Sequence, residues 1–296
     1  MEKLISFKYE LFAGAERFPV HMQYGYHDRS LYLHSHEDFT ELVIVLEGSA
    51  GHIVNNSCYS ISKGDVFVIS SGTGHSFLDP DRLRIVNIMF RPDEAFRSLF
   101  DLRQIPGFQL LFVLEPSIAG SDQFHSRLRL EGENFKAAVS LVDALMQEYT
   151  DKKSGWQDIV ISGFIQLCVM LSRLYPEQIT ERGGSPLMLA KAAAYIEHNF
   201  TSQISIEKLA EISGYSQRQT VRLFKQIYGM TPSAYISQLR LKRAKEMLGS
   251  GSTSIAEVSW ACGFDDQNYF SRFFRSHTGM TPTEYRNIGD YPHRKV

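Results

Sequence analysis

The four residues Gly229-Met230-Thr231-Pro232 recur as Gly279-Met280-Thr281-Pro282, 50 residues later, and each copy is followed by an aromatic ring at the same distance, Tyr235 and Tyr285. The match extends upstream, where Arg222-Leu223-Phe224-Lys225 stands opposite Arg272-Phe273-Phe274-Arg275. Further back the offset falls to 49, with Ser213-Gly214-Tyr215-Ser216 facing Cys262-Gly263-Phe264-Asp265, so one copy carries an extra residue at its turn. Two copies are too few for a solenoid, which needs roughly three or more to bury a continuous core. The last third of the chain is therefore expected to be a duplicated helical unit.

Each copy reads as a helix, a turn at glycine and a second helix. In the first, Ile206, Leu209, Ala210 and Ile212 build the supporting helix, Gly214 turns the chain, and Ser216 is placed to cap the second helix. That helix, 217–228, separates into an apolar stripe (Thr220, Leu223, Phe224, Ile227) and a polar face with Arg218, Val221, Arg222 and Lys225. The second copy repeats the division, with Phe270, Phe273 and Phe274 against Asn268, Ser271, Arg272 and Arg275. This is the helix-turn-helix plan. Arg and Asn bond guanine and adenine edges in pairs, Val touches a thymine methyl, and Lys serves phosphate. Residues 233–248 read as a connecting helix, which would let two recognition helices enter major-groove segments about 34 Å apart. Charge agrees: residues 187–296 hold 14 Lys+Arg against 9 Asp+Glu, a net of +5, whereas the first 186 net −7. A solvated basic face on an ordinary amphipathic helix explains one copy equally well, but it explains two matching copies poorly.

On residues 206–235 and 255–285, with Ala261-Cys262-Gly263-Phe264 and Asn268-Tyr269-Phe270-Ser271-Arg272-Phe273-Phe274 as the most specific stretches, residues 187–287 resemble the DNA-binding domain of the AraC/XylS family of bacterial transcription regulators. The resemblance implies two helix-turn-helix motifs joined by a long helix. It also implies base or phosphate readers at Arg218 and Arg222 in the first recognition helix, and at Gln267, Asn268, Ser271 and Arg272 in the second. Gln219, Val221, Lys225 and Arg275 complete the candidate DNA-binding set.

Residues from about 15 to 90 read as short strands broken by turns. Leu42-Val43-Ile44-Val45-Leu46 and Val66-Phe67-Val68-Ile69 are apolar runs bounded by Gly48, Gly64 and Gly72, with Asn55-Asn56 as a turn candidate. That spacing predicts a β-sandwich or barrel. His34-Ser35-His36 places two imidazoles on one face of a strand, and Glu41 and His75 complete a mixed N/O set suited to Zn, Fe, Ni or Mn. Hydrogen-bonding histidines at a barrel mouth are the plainer alternative.

The spacing resembles the two sequence motifs of cupins, His34, His36, Glu41 and Gly48 forming the first and Gly64, Gly72 and His75 the second. It departs from them at Asp28, where the first motif would open with Gly, at Ser70 in place of Pro, and at Asp79 in place of the closing Asn. The resemblance implies a cupin (double-stranded β-helix) barrel with one divalent transition metal (Zn, Ni, Fe or Mn) as candidate cofactor. Regulators of this kind use the barrel to sense small molecules and often lose the metal, so both states stay open. Polar-plus-aromatic lining suits a sugar, which makes Arg17, His21, Tyr24 and Tyr32, with His34, His36, Glu41 and His75, the candidate ligand-binding residues.

Strand propensity then fades. Residues 133–150 and 157–175 read as helices, the second apolar around most of its circumference and so buried in the fold or in a partner. Residues 176–186 have linker composition. The expected organisation is multidomain: a cupin-like effector-sensing barrel over 1–115, a helical dimerisation or linker region over 116–178, and an all-α DNA-binding domain with two helix-turn-helix motifs over 187–290. Packing of the two helices against their own barrel is an equal alternative to dimerisation.

The layout resembles the sugar-sensing AraC/XylS members nearly end to end, most of all the rhamnose-responsive regulators, with His36 to Gly48, Ser62-Lys63-Gly64-Asp65 and Val86-Asn87-Ile88 as the closest stretches. Three scattered cysteines, Cys58, Cys168 and Cys262, argue against a disulfide framework or a thiolate zinc site. No apolar run is expected to cross a bilayer and no secretory signal is visible, which makes the cytoplasm the expected location. The chain is thus expected to be a homodimeric transcription activator, not an enzyme. Its expected partners are double-stranded DNA, RNA polymerase and a sugar effector, with no membrane. The rivals are a metal-dependent cupin enzyme with an accessory helical domain, and a regulator answering a partner protein.

Overall fold

The computed structural model describes residues 5–13, 17–55, 57–97, 101–118, 128–179, 185–249 and 253–289. Asn56 of the expected turn, residues 119–127 of the expected helical region and 180–184 of the expected linker lie outside the described residues. The chain forms two compact units, Met1–Ala190 and Lys191–Val296.

The first unit opens with β1 (Ile5–Phe7), α1 (Glu10–Ala13), β2 (Val20–His27), β3 (His34–His36), β4 (Thr40–Val54), β5 (Ser57–Ser62), β6 (Asp65–Ile69) and β7 (His75–Phe90). Strand β8 (Leu128–Arg129) returns later to pair with β6. The strand order is β1-β3-β7-β4-β6-β8, with β2 on β7 and β5 on β4. Where short strands are expected, β4 and β7 run 15 and 16 residues. Gly48 does not end a strand. It takes φ +78 inside β4, where the pairing with β7 shifts register three times between Val45 and Gly51. These bulges bend the strand, so its first half pairs with β6 and its second half with β5. The sheet thereby folds over a core of Val43, Val45, Ala50, Val54, Ile61, Phe67, Ile69, Phe77, Leu83 and Ile85.

After β7 come short helical turns: α2 (Pro92–Ala95), a 3₁₀ turn at Leu102–Gln104, α3 (Pro106–Phe108), a π-helical run at Gln109–Leu114, and α4 (Glu115–Ile118). The two long helices of the unit are α5 (Gly132–Asp151) and α6 (Trp156–Ile179), close to the expected bounds. The helix continues through Pro176, so α6 runs into the stretch expected to be linker. By length and composition alone α6 is apolar enough over Trp156–Tyr175 to cross a bilayer, where the sequence reading expected no such run. Its buried face is nonetheless a protein core: Val160, Phe164, Leu167, Cys168, Leu171 and Tyr175 recur at helical spacing. The Phe164 ring lies 5.0 Å from Phe90 of β7 and stacks on Phe96 at 5.7 Å. Both helices pack on their own barrel, Tyr24 donating to Asp143 of α5 and Phe18 meeting Trp156 at 4.9 Å.

The second unit is all-helical: α7 (Ser185–Asn199, within which the division between units falls), α8 (Ile206–Ser213), α9 (Gln217–Tyr228), α10 (Pro232–Gly249), α11 (Ile255–Ala261), α12 (Gln267–Thr278) and α13 (Pro282–Gly289). It holds two cores. Ala192, Ala193, Ile196, Leu209 and Phe224 form one, and Ala244, Leu248, Val258, Cys262, Phe264, Phe270 and Phe274 the other.

Candidate functional site

Two helix-turn-helix pairs, α8–α9 and α11–α12, repeat one construction. Ser216 caps α9 in a reciprocal box with Gln219, and Asp266 caps α12 by accepting from the Asn268 and Tyr269 amides. The extra residue of the second copy sits in its turn. Gly214 and Ser216 are separated by Tyr215, whereas Gly263 and Asp266 are separated by Phe264 and Asp265. In the first copy the Ser213 and Thr220 hydroxyls bond at 2.9 Å in the interior and lock the two helices together.

The recognition-type helices bury matching stripes, Thr220 and Phe224 in α9 and Phe270 and Phe274 in α12. The polar candidates face solvent: Arg218, Gln219, Arg222 and Lys225 are exposed and Val221 half-buried, with Gln267, Asn268, Arg272 and Arg275 exposed and Ser271 half-buried. Burial thus follows the sequence repeat almost residue for residue. Gln219 is the exception in role, because its side-chain oxygen accepts from the Ser216 amide and hydroxyl and serves the cap. Each helix thus turns toward solvent a face rich in the donors that a polyanion would require.

In the barrel, β3 and the start of β7 bring His34, His36 and His75 together, their ligating atoms lying within 4.8 Å of one another. The first half of β4 adds Glu41, whose Oε2 stands 3.5 Å from His75 Nε2 and 3.8 Å from His36 Nε2. His36 and His75 approach Nε2 to Nε2 at 3.2 Å. Two imidazoles at that separation can share one ion at bonds of about 2.1 Å. His34 Nδ1 is turned to the Tyr32 carbonyl at 2.9 Å, which fixes its ring, whereas His36 Nδ1 and His75 Nδ1 are buried without a hydrogen-bond partner. Burial pushes the Glu41 carboxyl up to about 8 and His36 down to about 3, and it lowers His34 and His75 as well. At neutral pH the cluster therefore holds neutral imidazoles and a protonated acid, and a cation entering it would displace the Glu41 proton. The donor set fits a divalent ion of the zinc-to-manganese series.

The other ligand-binding candidates lie apart from this cluster. Tyr24 is on the outer face of β2, where burial and its bond to Asp143 push its hydroxyl up to about 12. The His21 ring meets Tyr149, Nδ1 standing 2.9 Å from the Tyr149 hydroxyl. Arg17 is exposed in the segment before β2, and Tyr32 is 77% exposed. Sequence reasoning missed two inner-face histidines. His52 is fully buried, its ring 4.4 Å from Phe67 and 5.7 Å from His75. His27 lies 5.3 Å from Phe77, its Nε2 buried without a hydrogen-bond partner. Their signal is their parity along the strands, once the bulge in β4 is known.

Comparison with known proteins adds two domain families, a helix-turn-helix domain over residues 209–288 and an AraC-like ligand binding domain over residues 21–148. The chain is 31% identical over 256 residues to the HTH-type transcriptional activator RhaR of Escherichia coli O139:H28, covering 86% of each chain, and equally to that of Shigella boydii serotype 4. RhaR of Escherichia coli K12 is 30% identical over the same span. Among solved structures, an AraC-type DNA-binding-domain-containing regulator from Chromobacterium violaceum is 39% identical over 37% of this chain and 97% of its own, with a TM-score of 0.34.

Proposed function

The chain belongs to the AraC/XylS family of transcription regulators, and from that premise we propose that it activates a carbohydrate-use operon under control of a sugar bound in its barrel. It is a DNA-binding regulator with an AraC-like ligand-binding domain, not an enzyme. The observation that carries the DNA reading is the matched pair of α9 and α12, whose exposed Arg218, Arg222, Asn268 and Arg272 stand over buried stripes at corresponding positions. The two helices dock in successive major-groove segments, with Arg222 and Arg272 reading bases or phosphate.

The effector acts by differential binding. A sugar that prefers one arrangement of the homodimer's DNA-binding domains shifts operator occupancy or contact with RNA polymerase. Such a protein works where the chromosome is, in the cytoplasm. His34, His36, Glu41 and His75 would hold a divalent ion, which would supply Lewis-acid anchoring for sugar hydroxyls. With or without an ion, the same four residues offer donors and acceptors that orient a polyol.

Two measurements test this reading. Duplexes are first selected from a random library with the full chain. Arg222→Ala and Arg272→Ala should each weaken the selected duplex by about 10- to 100-fold at an unchanged melting temperature. Unchanged specific affinity in both variants would sink the docking. Melting of the full chain with pentoses, hexoses and 6-deoxy sugars should then single out one stabilising sugar. A panel without effect, together with a co-purifying protein that alters operator binding, would replace the sugar by a protein signal.

A further inference from the structure

Among the described residues the two motifs of the second unit have separate cores with no side chain in common, and α10 contributes to both, through Tyr235, Ile236 and Leu239 on one side and Leu241, Ala244 and Leu248 on the other. The covalent link between them is this single helix of 18 residues. Near its middle, Arg240 gathers three parts of the unit. Its Nε donates to the Phe200 carbonyl at 2.7 Å and its Nη2 to the Ser202 carbonyl at 2.8 Å, while its guanidinium lies 5.4 Å over the Phe264 ring. Phe200 and Ser202 belong to the turn between α7 and α8, which enters the first motif. Phe264 belongs to the turn between α11 and α12, inside the second.

The two turns also touch directly. Gly263 takes φ +83, and a Cβ there would stand 2.3 Å from the Thr201 carbonyl oxygen, so the backbones meet at a distance that no side chain permits. Gln203 donates to Asp265 at 3.4 Å across the same seam. Asp265 precedes Asp266, the cap of α12, so the seam bears on the point where the second recognition helix starts. A charged planar fork is suited to hold two carbonyls at a helix C-terminus and an aromatic face at once.

We propose that Arg240 is a positioning residue that fixes the orientation of α9 relative to α12, and so sets the number of base pairs between the two blocks of sequence the protein reads. The inference rests on the DNA reading above. A basic residue on a DNA-binding domain would otherwise be assigned to phosphate, but here Nε and Nη2 are engaged inside the protein. The inference predicts a change in spacing preference, which neither a phosphate contact nor a purely structural role produces.

The test uses duplexes selected from a random library by the full chain and footprinted to locate the two blocks. One base pair is inserted between them, which turns one block about 34° relative to the other. The wild-type chain should lose at least about 10-fold in affinity on the insertion. Arg240→Met keeps the apolar stem and removes the donors, and it should cut that penalty below about 3-fold, with Arg240→Lys intermediate. A folded Arg240→Met chain with the wild-type insertion penalty overturns the proposal. So does a uniform loss on all duplexes with a shallower salt dependence, the signature of a phosphate contact. If Arg240→Met does not melt cooperatively, Gln203→Ala combined with Arg240→Lys loosens the same seam and is judged by the same penalty. If the wild-type chain selects no duplex, the DNA reading fails and this inference with it.

Discussion

A glycine that the sequence reads as a strand boundary proves to be a bend within one strand. Gly48 takes φ +78, and a Cβ on it would stand 2.2 Å from the Arg82 carbonyl oxygen and 2.3 Å from that of Asp81. Backbone there leaves room for nothing larger than hydrogen. Gly72 has nearly the same φ, +80, but nothing within 4 Å of its would-be Cβ. The pair separates conformational strain from steric exclusion. Gly72→Ala should cost only the left-handed penalty, about 1–2 kcal/mol. Gly48→Ala adds overpacking of about 1–3 kcal/mol, for a total near 3 kcal/mol or more. Urea titration of both variants, followed through the barrel's transition, checks this. Equal midpoints would mean that the strand relaxes around the intruding methyl.

Elements with a strong period were legible in the sequence, and elements whose period changes midway were not. Helices α9 and α12 fall at Gln217–Tyr228 and Gln267–Thr278, because caps, turn and apolar stripe coincide in each copy. In β4 the inward residues are Val43 and Val45 before the bulge and Ala50 and Val54 after it, so the parity switches from odd to even. A uniform alternation would put His52 outside, yet it is wholly buried beside His75. The metal-type cluster was legible because three of its members sit in one short run, residues 34–41, and the cupin spacing supplies His75. The positions of Tyr24 and Tyr32 were not, since they depend on which face of β2 meets α5 and on a loop path that no periodicity encodes. The caps make an element-scale prediction. Asp266 accepts from two amides at the start of α12, so Asp266→Ala should speed amide exchange in that first turn by about 5- to 10-fold, the equivalent of about 1 kcal/mol. Asp266→Asn keeps an accepting oxygen and should stay within about 2-fold of wild type. Equal acceleration in both variants would show that charge at the helix terminus, and not the hydrogen bonds, is what stabilises the turn.

At the scale of the whole molecule, the chain divides its tasks between a barrel and a helical unit whose cores are separate from the barrel's, so a ligand of one is expected to stabilise that one first. The His34, His36, Glu41 and His75 cluster joins the run 34–41 to the distant start of β7, and an ion there would tie β3, β4 and β7 together at a buried polar point. Because the ion binds the folded barrel and not the unfolded chain, Zn(II) at about 100 times its Kd should add about 2.7 kcal/mol. For a unit of this size that is about 5–10 °C in melting temperature. Calorimetry of EDTA-treated chain, before and after Zn(II), reads the shift. Hydrogen exchange locates it, with protection expected in peptides from residues 34–90 and none in peptides from 206–289. His75→Gln, which removes the imidazole that faces both His36 and Glu41, should abolish both effects while leaving the helical unit's melting unchanged. A chain whose melting ignores Zn(II), and ignores Ni(II) and Mn(II) as well, would assign the cluster to hydrogen bonding alone. The buried, partnerless Nδ1 atoms of His36 and His75 would then be groups waiting for a polar effector.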